Sequence, residues 1–196
     1  MELIMRMNGF SNFFIILFLS ANSLALVGCA TNATVSGMTV KTFDKTITPH
    51  QKFKSGISIQ AVKGGKETNP LWTSKISNEN FNAALSNSLK VAGFNIADQK
   101  SSRYVLVATF KDVSEPLFGF SFDVSTTINY VLVDQSTKRI LFDSDIKSKY
   151  TAKFGDALYA VKRLRLANEG SARQNISQFI ETMSKTDPDK VSVHIK

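Results

Sequence analysis

Phe120-Ser121-Phe122-Asp123-Val124-Ser125-Thr126-Thr127-Ile128-Asn129-Tyr130-Val131-Leu132-Val133 carries the clearest pattern in the chain. Phe120, Phe122, Val124, Ile128, Tyr130 and Leu132 share one parity, while Ser121, Asp123, Ser125, Thr127 and Asn129 share the other. Side chains along a strand point alternately to its two faces, so this stretch predicts a strand with one packed and one wet face. On its N-terminal side, Tyr104 to Val113 is apolar on both parities, as expected of a central strand. On its C-terminal side, Asp134-Gln135-Ser136-Thr137 reads as a turn. Ile140, Phe142, Ile146 and Tyr150 then alternate with Asp143, Asp145, Lys147 and Lys149. The three segments predict an antiparallel meander.

Two amphipathic segments flank it. Ser77 or Asn78 can cap a helix in which Phe81, Ala84, Leu85, Ser88, Leu89 and Ala92 recur at helical spacing, with Gly93 as the stop. A longer helix starts near Asp156, carries Leu158, Val161, Leu164, Ala172, Ile176, Phe179, Ile180 and Met183 on one stripe, and ends at Asp187-Pro188, with Gly170 a candidate kink. Further upstream, Ile57, Ile59 and Ala61 alternate with Ser58 and Gln60 as a strand. The order β-α-β-β-β-α predicts an α+β two-layer sandwich, with a mainly antiparallel sheet of about four strands and two helices on one face. This domain is expected over residues 56–186, followed by a polar tail, 187–196.

The first thirty residues read differently. Phe13-Phe14-Ile15-Ile16-Leu17-Phe18-Leu19 follows an n-region containing Arg6. It falls well short of the ~20 apolar residues that span a bilayer and suits the apolar region of a signal peptide. The start lies at Met1, Met5 or Met7. Leu26-Val27-Gly28-Cys29 resembles the lipobox of bacterial lipoproteins, and Cys29 is the one cysteine of the chain. That resemblance implies a signal peptide over 1–28, diacylglycerol on the Cys29 sulfur and acyl chains that anchor the protein to a membrane. A thiolate is the nucleophile such a transfer needs, and two or more acyl chains hold a protein stably on a bilayer. Ala30 in place of an aspartate points to the outer membrane. Residues 29–55, rich in Thr, Ser, Asn and Lys, are expected to be a tether, although Met38 to Phe43 can pair as an edge strand.

A net charge of +8, retained after signal removal because Glu2 and Arg6 cancel, either attracts anionic lipid, acidic glycan or nucleic acid or only aids solubility. An exported protein would rarely meet nucleic acid. His50 and His194, the only histidines, fall in the tether and the tail, away from any nucleophile, so Ser-His or Cys-His catalysis is not expected. No paired Cys or His spacing suggests a metal site. Asp143 and Asp145 share a strand face, which admits an envelope glycosidase but also a solvated face of alternating Asp and Lys.

Two surface features are candidate partner-binding sites. Lys162, Arg163 and Arg165, with Arg173 two turns later, form either a patch for phosphorylated glycolipid or an acidic partner, or the solvated side of a helix. Ser114-Glu115-Pro116-Leu117-Phe118-Gly119-Phe120 is an apolar hairpin tip, whose Leu117 and Phe118 either contact a membrane or partner or fold back over the core.

Asn82-Ala83-Ala84-Leu85 through Ala92-Gly93-Phe94, the strand with Asn129-Tyr130-Val131-Leu132, and Arg163 through Ile176 together resemble a loose group of Gram-negative lipoproteins. These are the LptE-like, YajG-type and transport-auxiliary lipoproteins. The resemblance implies a non-enzymatic envelope lipoprotein without cofactor beyond the acyl chains on Cys29. It would face the periplasm and bind or help assemble a membrane protein complex or an anionic glycolipid. Display on the cell surface and an envelope enzyme are the alternatives.

Overall fold

The computed structural model describes residues 30–43, 47–69, 73–98, 100–189 and 193–194. Cys29 and the signal segment lie outside them. The fold is α+β. Strands β1 (Ile57–Lys63), β2 (Tyr104–Ser114), β3 (Phe122–Asp134) and β4 (Arg139–Ala152) stand side by side in chain order. β1 runs parallel to β2, through the crossover of a helix, whereas β2, β3 and β4 form the antiparallel meander. α1 (Val35–Met38) is a single turn, α2 (Asn78–Val91) belongs to the crossover, and α3 (Ala160–Ser184) follows β4. α2 and α3 carry the apolar residues that cover one face of the sheet.

β3 shows why the layers form. Phe122, Val124, Thr126, Ile128, Tyr130 and Leu132 are buried under α3, while Asp123, Ser125, Thr127 and Asn129 face outward. Tyr130 stacks on Phe179 of α3, with ring centroids 3.9 Å apart and planes 6° from parallel. Phe142 meets the same ring edge-on at 5.5 Å. Beside this apolar centre runs a buried polar seam. Thr126 and Ser148 of the sheet hydrogen-bond each other at 2.8 Å, and the Ser148 hydroxyl donates to the Ser171 carbonyl at 2.8 Å. The Tyr130 hydroxyl donates to Asn175 at 2.9 Å, and the Asn175 amide donates to the Ile146 carbonyl at 2.7 Å. Satisfied in this way, the groups fix the position of α3 on the sheet instead of costing desolvation.

Several expectations require correction. Residues 30–43 and 47–55 do not stand off as a tether: Ala33, Met38, Val40 and Phe53 are buried in the main core. Met38 to Phe43 forms no edge strand; it closes α1 and continues as extended chain, with the Val40 amide donating to Ser88 of α2 at 2.9 Å. Four apolar side chains scattered among polar ones have no period, yet each finds a socket. In β1, a bulge between Ile59 and Ala61 turns Ala61 to the face opposite Ile59. A second irregularity, opposite Leu132 and Val133, turns Ile140 outward while Phe142 points in. α3 starts at Ala160, not Asp156, because the Asp156 carboxylate accepts from the Lys153 amide at 2.8 Å and closes a separate turn over Phe154–Asp156. Gly170 does not interrupt α3, which is one helix to Ser184. Val193–His194, inside the expected polar tail, pairs with Arg139 and Ile140 as a short edge strand, β5.

Candidate functional site: an apolar end built from two loops

The β2–β3 connection and the β4–α3 connection meet at one end of the sandwich. Pro116 cannot donate to a ladder, and Gly119 adopts φ of +153°, so the chain leaves the sheet after Ser114 and re-enters at Phe122. Leu117 and Phe118 project from this tip, 89% and 84% exposed. Phe120, expected on the buried parity of β3, lies outside the strand and is exposed as well. From the second loop, Phe154, Leu158 and Tyr159 are exposed; Leu158, expected on the core stripe of the helix, precedes it and is 81% exposed. Phe120 and Phe154 touch edge-to-face at 6.0 Å, which joins the two loops. Six large apolar side chains thus share one end of the molecule. Contiguous exposed apolar surface of this kind marks contact sites on soluble domains. A cleft of about 310 Å³ opens beside it, lined in part by Val113, Pro116, Leu117, Phe122, Val161 and Leu164.

Arg163 holds this end together instead of presenting its charge. It is 4% exposed, and its guanidinium donates to the carbonyls of Ala157 and Leu158 at 2.7 and 2.8 Å. The same group lies over the rings of Phe154 at 5.0 Å and Phe122 at 5.5 Å. Cation–π contact and carbonyl pairing together order the second loop. The four basic side chains of the candidate cluster are therefore presented unequally, with Arg163 buried and Arg165 and Arg173 half-buried. Arg165 donates to Thr31 at 2.7 Å, and Arg173 donates to the Gly37 carbonyl and lies over Tyr150. Of the four, Lys162 alone is exposed.

Asp143 and Asp145 are both exposed on the outer sheet face, and Asn129 donates to Asp143 at 2.9 Å. A larger cleft, about 600 Å³, lies between α1 and α3 and includes Gly37, Lys41, Arg173 and Gln174. The charges at its floor are engaged: Arg173 with Gly37, and Glu169 accepting from the amide and hydroxyl of Thr34 at 2.9 and 2.8 Å. Among the described residues, no three His, Cys, Asp or Glu side chains are grouped to hold a metal ion, and no helix is long and apolar enough to cross a membrane.

Leu117 and Phe118, the candidates of the 114–120 tip, are exposed as one of the two expectations had it; Phe120 was also assigned to the strand, Leu158 to the helix stripe, and Phe154 and Tyr159 were not singled out. Phe120 and Leu158 fitted the periods of the neighbouring strand and helix, and periodicity does not show where an element begins. The Phe154-Gly155-Asp156 stretch, with Gly155 after an aromatic residue, was the available signal for a loop there.

No protein-family model and no curated protein matches the chain. Among solved structures it is similar to a Xanthomonas campestris protein of the family DUF330, at 10% identity and a TM-score of 0.49, over 68% of this chain and 88% of that one. It is also similar to a minor lipoprotein from Acinetobacter baumannii, at 10% identity and a TM-score of 0.45, over 67% and 93%. A third is lipoprotein GNA1162 from Neisseria meningitidis, at 9% identity and a TM-score of 0.40, over 66% and 97%. No residue role carries over at these identities.

Proposed function

We propose that this chain is a non-enzymatic lipoprotein of a Gram-negative envelope, anchored through Cys29 in the outer membrane and facing the periplasm. Its domain docks a membrane-associated partner, a protein complex or an anionic glycolipid, through the apolar end. The observation that carries the reading is the convergence of Leu117, Phe118, Phe120, Phe154, Leu158 and Tyr159 from two separate loops. Exposing six such side chains works against solubility, and the two loops are ordered by Arg163, Phe120 and Phe154 in that exposed arrangement. The anchoring half rests on Leu26-Val27-Gly28-Cys29 after an apolar run.

Each half has its own test. Cys29→Ser should abolish acyl labelling and leave an uncleaved precursor; labelling that persists would refute the anchor. For docking, a photocrosslinker at position 118 in intact cells should capture envelope lipid or one dominant envelope protein. A crosslinker at Thr137, in the turn at the other end of β3, should not. Equal capture from both positions would refute a docking role for the apolar end.

A further inference from the structure

The chain leading to Cys29 leaves the domain beside the apolar end. Ala30 is buried, and Thr31 is held from two sides: its hydroxyl accepts from Arg165 at 2.7 Å, and its carbonyl accepts from the Ser74 hydroxyl at 2.7 Å. Asn168 ties this point to the tip, since its amide donates both to the Ser74 carbonyl at 2.9 Å and to Glu115 at 2.8 Å. Lys75 pairs with the same Glu115, at the base of the loop that carries Leu117 and Phe118. Arg165 and Asn168 lie in the first turns of α3, whose N-terminus adjoins Leu158 and Tyr159. Two residues of extended chain reach at most ~7 Å. The backbone of Cys29 therefore lies within that distance of Thr31, so an acyl group on its sulfur would enter a bilayer near the end where the apolar side chains are exposed.

We propose that the apolar end is seated in the headgroup region of the same leaflet that holds the acyl chains of Cys29, so that the domain rests directly on the membrane. The inference rests on the anchoring reading above and names the surface that the apolar end meets. Phe and Leu side chains enter the headgroup–acyl boundary, and Tyr is enriched at that level. The exposed Lys153 and Lys162 flank the second loop against the single exposed Asp156 within it, a small positive excess where anionic phospholipid headgroups would lie. The turn at the far end of β3 and β4, Gln135-Ser136-Thr137-Lys138, is polar, so the molecule has one end suited to lipid and one suited to water. With residues 30–43 packed on the domain, the fold leaves almost no chain for standing off the surface.

The test uses the full chain, purified in detergent from a Gram-negative host and reconstituted in vesicles of phosphatidylethanolamine and phosphatidylglycerol. Phe118→Cys, Leu158→Cys and Thr137→Cys would be labelled, each in its own variant, with an environment-sensitive dye. Brominated lipids should quench the dye at 118 and 158 and shift its emission to shorter wavelength, with neither change at 137. Equal weak quenching at all three positions would overturn the proposal. So would vesicles that leave 118 unquenched while an intact-cell crosslink from 118 captures a single protein, because the end would then be a protein-docking surface. The parent chain is the control for the anchor. Cys29 is its only thiol, so dye uptake by the parent would reveal an unacylated cysteine and overturn the anchoring reading itself. A dye-free parent with unquenched 118 would leave the anchor standing and remove only the seating.

Discussion

Gly170 faces the Tyr150 ring of the sheet with no room for a side chain. A methyl group there would lie 2.3 Å from the Cγ and Cδ1 of Tyr150, which are the fixed part of that ring. Helix propensity alone would make Gly170→Ala stabilising by about 1 kcal/mol. Overpacking, at about 1–3 kcal/mol, outweighs it, and the expected result is a net loss of up to about 2 kcal/mol in urea unfolding. The loss should shrink when Tyr150→Ala is added. Asp134 gives a pH-dependent case. Burial pushes its carboxyl up, but hydrogen bonds from Arg103 at 2.8 and 3.1 Å and from the Ser136 hydroxyl and amide outweigh this and hold it well below the usual carboxylate range. Its folded pKa thus lies under the unfolded value of about 3.9. The stabilisation is present above pH ~4 and is lost as pH falls through the folded pKa. Asp134→Asn should cost about 2 kcal/mol at pH 7 and lose that component of the acid dependence. Unchanged acid unfolding in the variant would show the pair to be idle. Neither residue's role was legible beforehand: Gly170 read as a kink and Asp134 as an ordinary turn residue, since both roles depend on a neighbour distant in sequence.

The two loops of the apolar end separate function from stability. Leu117 and Phe118 touch little of the core, so Leu117→Ser with Phe118→Ser should change unfolding free energy by only about 0.5 kcal/mol or less. Docking measured by crosslinking should be lost. Arg163→Ala should behave oppositely, since its guanidinium orders the 153–159 loop through the Ala157 and Leu158 carbonyls. Faster amide exchange is expected there, with α3 beyond Leu164 still protected. Strands and helices were readable as elements because β3 keeps its period of two and α2 its helical spacing over many residues. Their ends were not. Phe120 and Leu158 continue the period outward beyond Phe122 and Ala160, where the strand and the helix begin. Bulges in β1 and β4 shifted the parity of Ala61 and Ile140 for the same reason: a bulge inserts one residue without a mark in the apolar pattern.

Across the whole molecule, the segment before β1 contributes to the fold instead of serving as a leash. Met38 is fully buried, so Met38→Ala should cost about 2–5 kcal/mol, whereas a residue in a free tether would show almost no change. Thermal or urea unfolding of the full chain decides between these. The sequence by itself determined the layer architecture, because the periods of β3, α2 and α3 are local and each apolar face requires cover. It also carried the motif Leu26-Val27-Gly28-Cys29 and the apolar Leu117-Phe118 pair as contiguous stretches. Only the tertiary structure decided that Arg165 and Arg173 turn to Thr31 and Gly37, more than a hundred residues away, and that Arg163 lies over the distant Phe122 ring while it closes on the nearby Ala157 and Leu158 carbonyls. Only it joined Phe120 to Phe154 and placed Thr31 beside the same end. Those contacts link residues separated by tens to more than a hundred positions, and no local pattern encodes which distant segment an exposed side chain will stand next to.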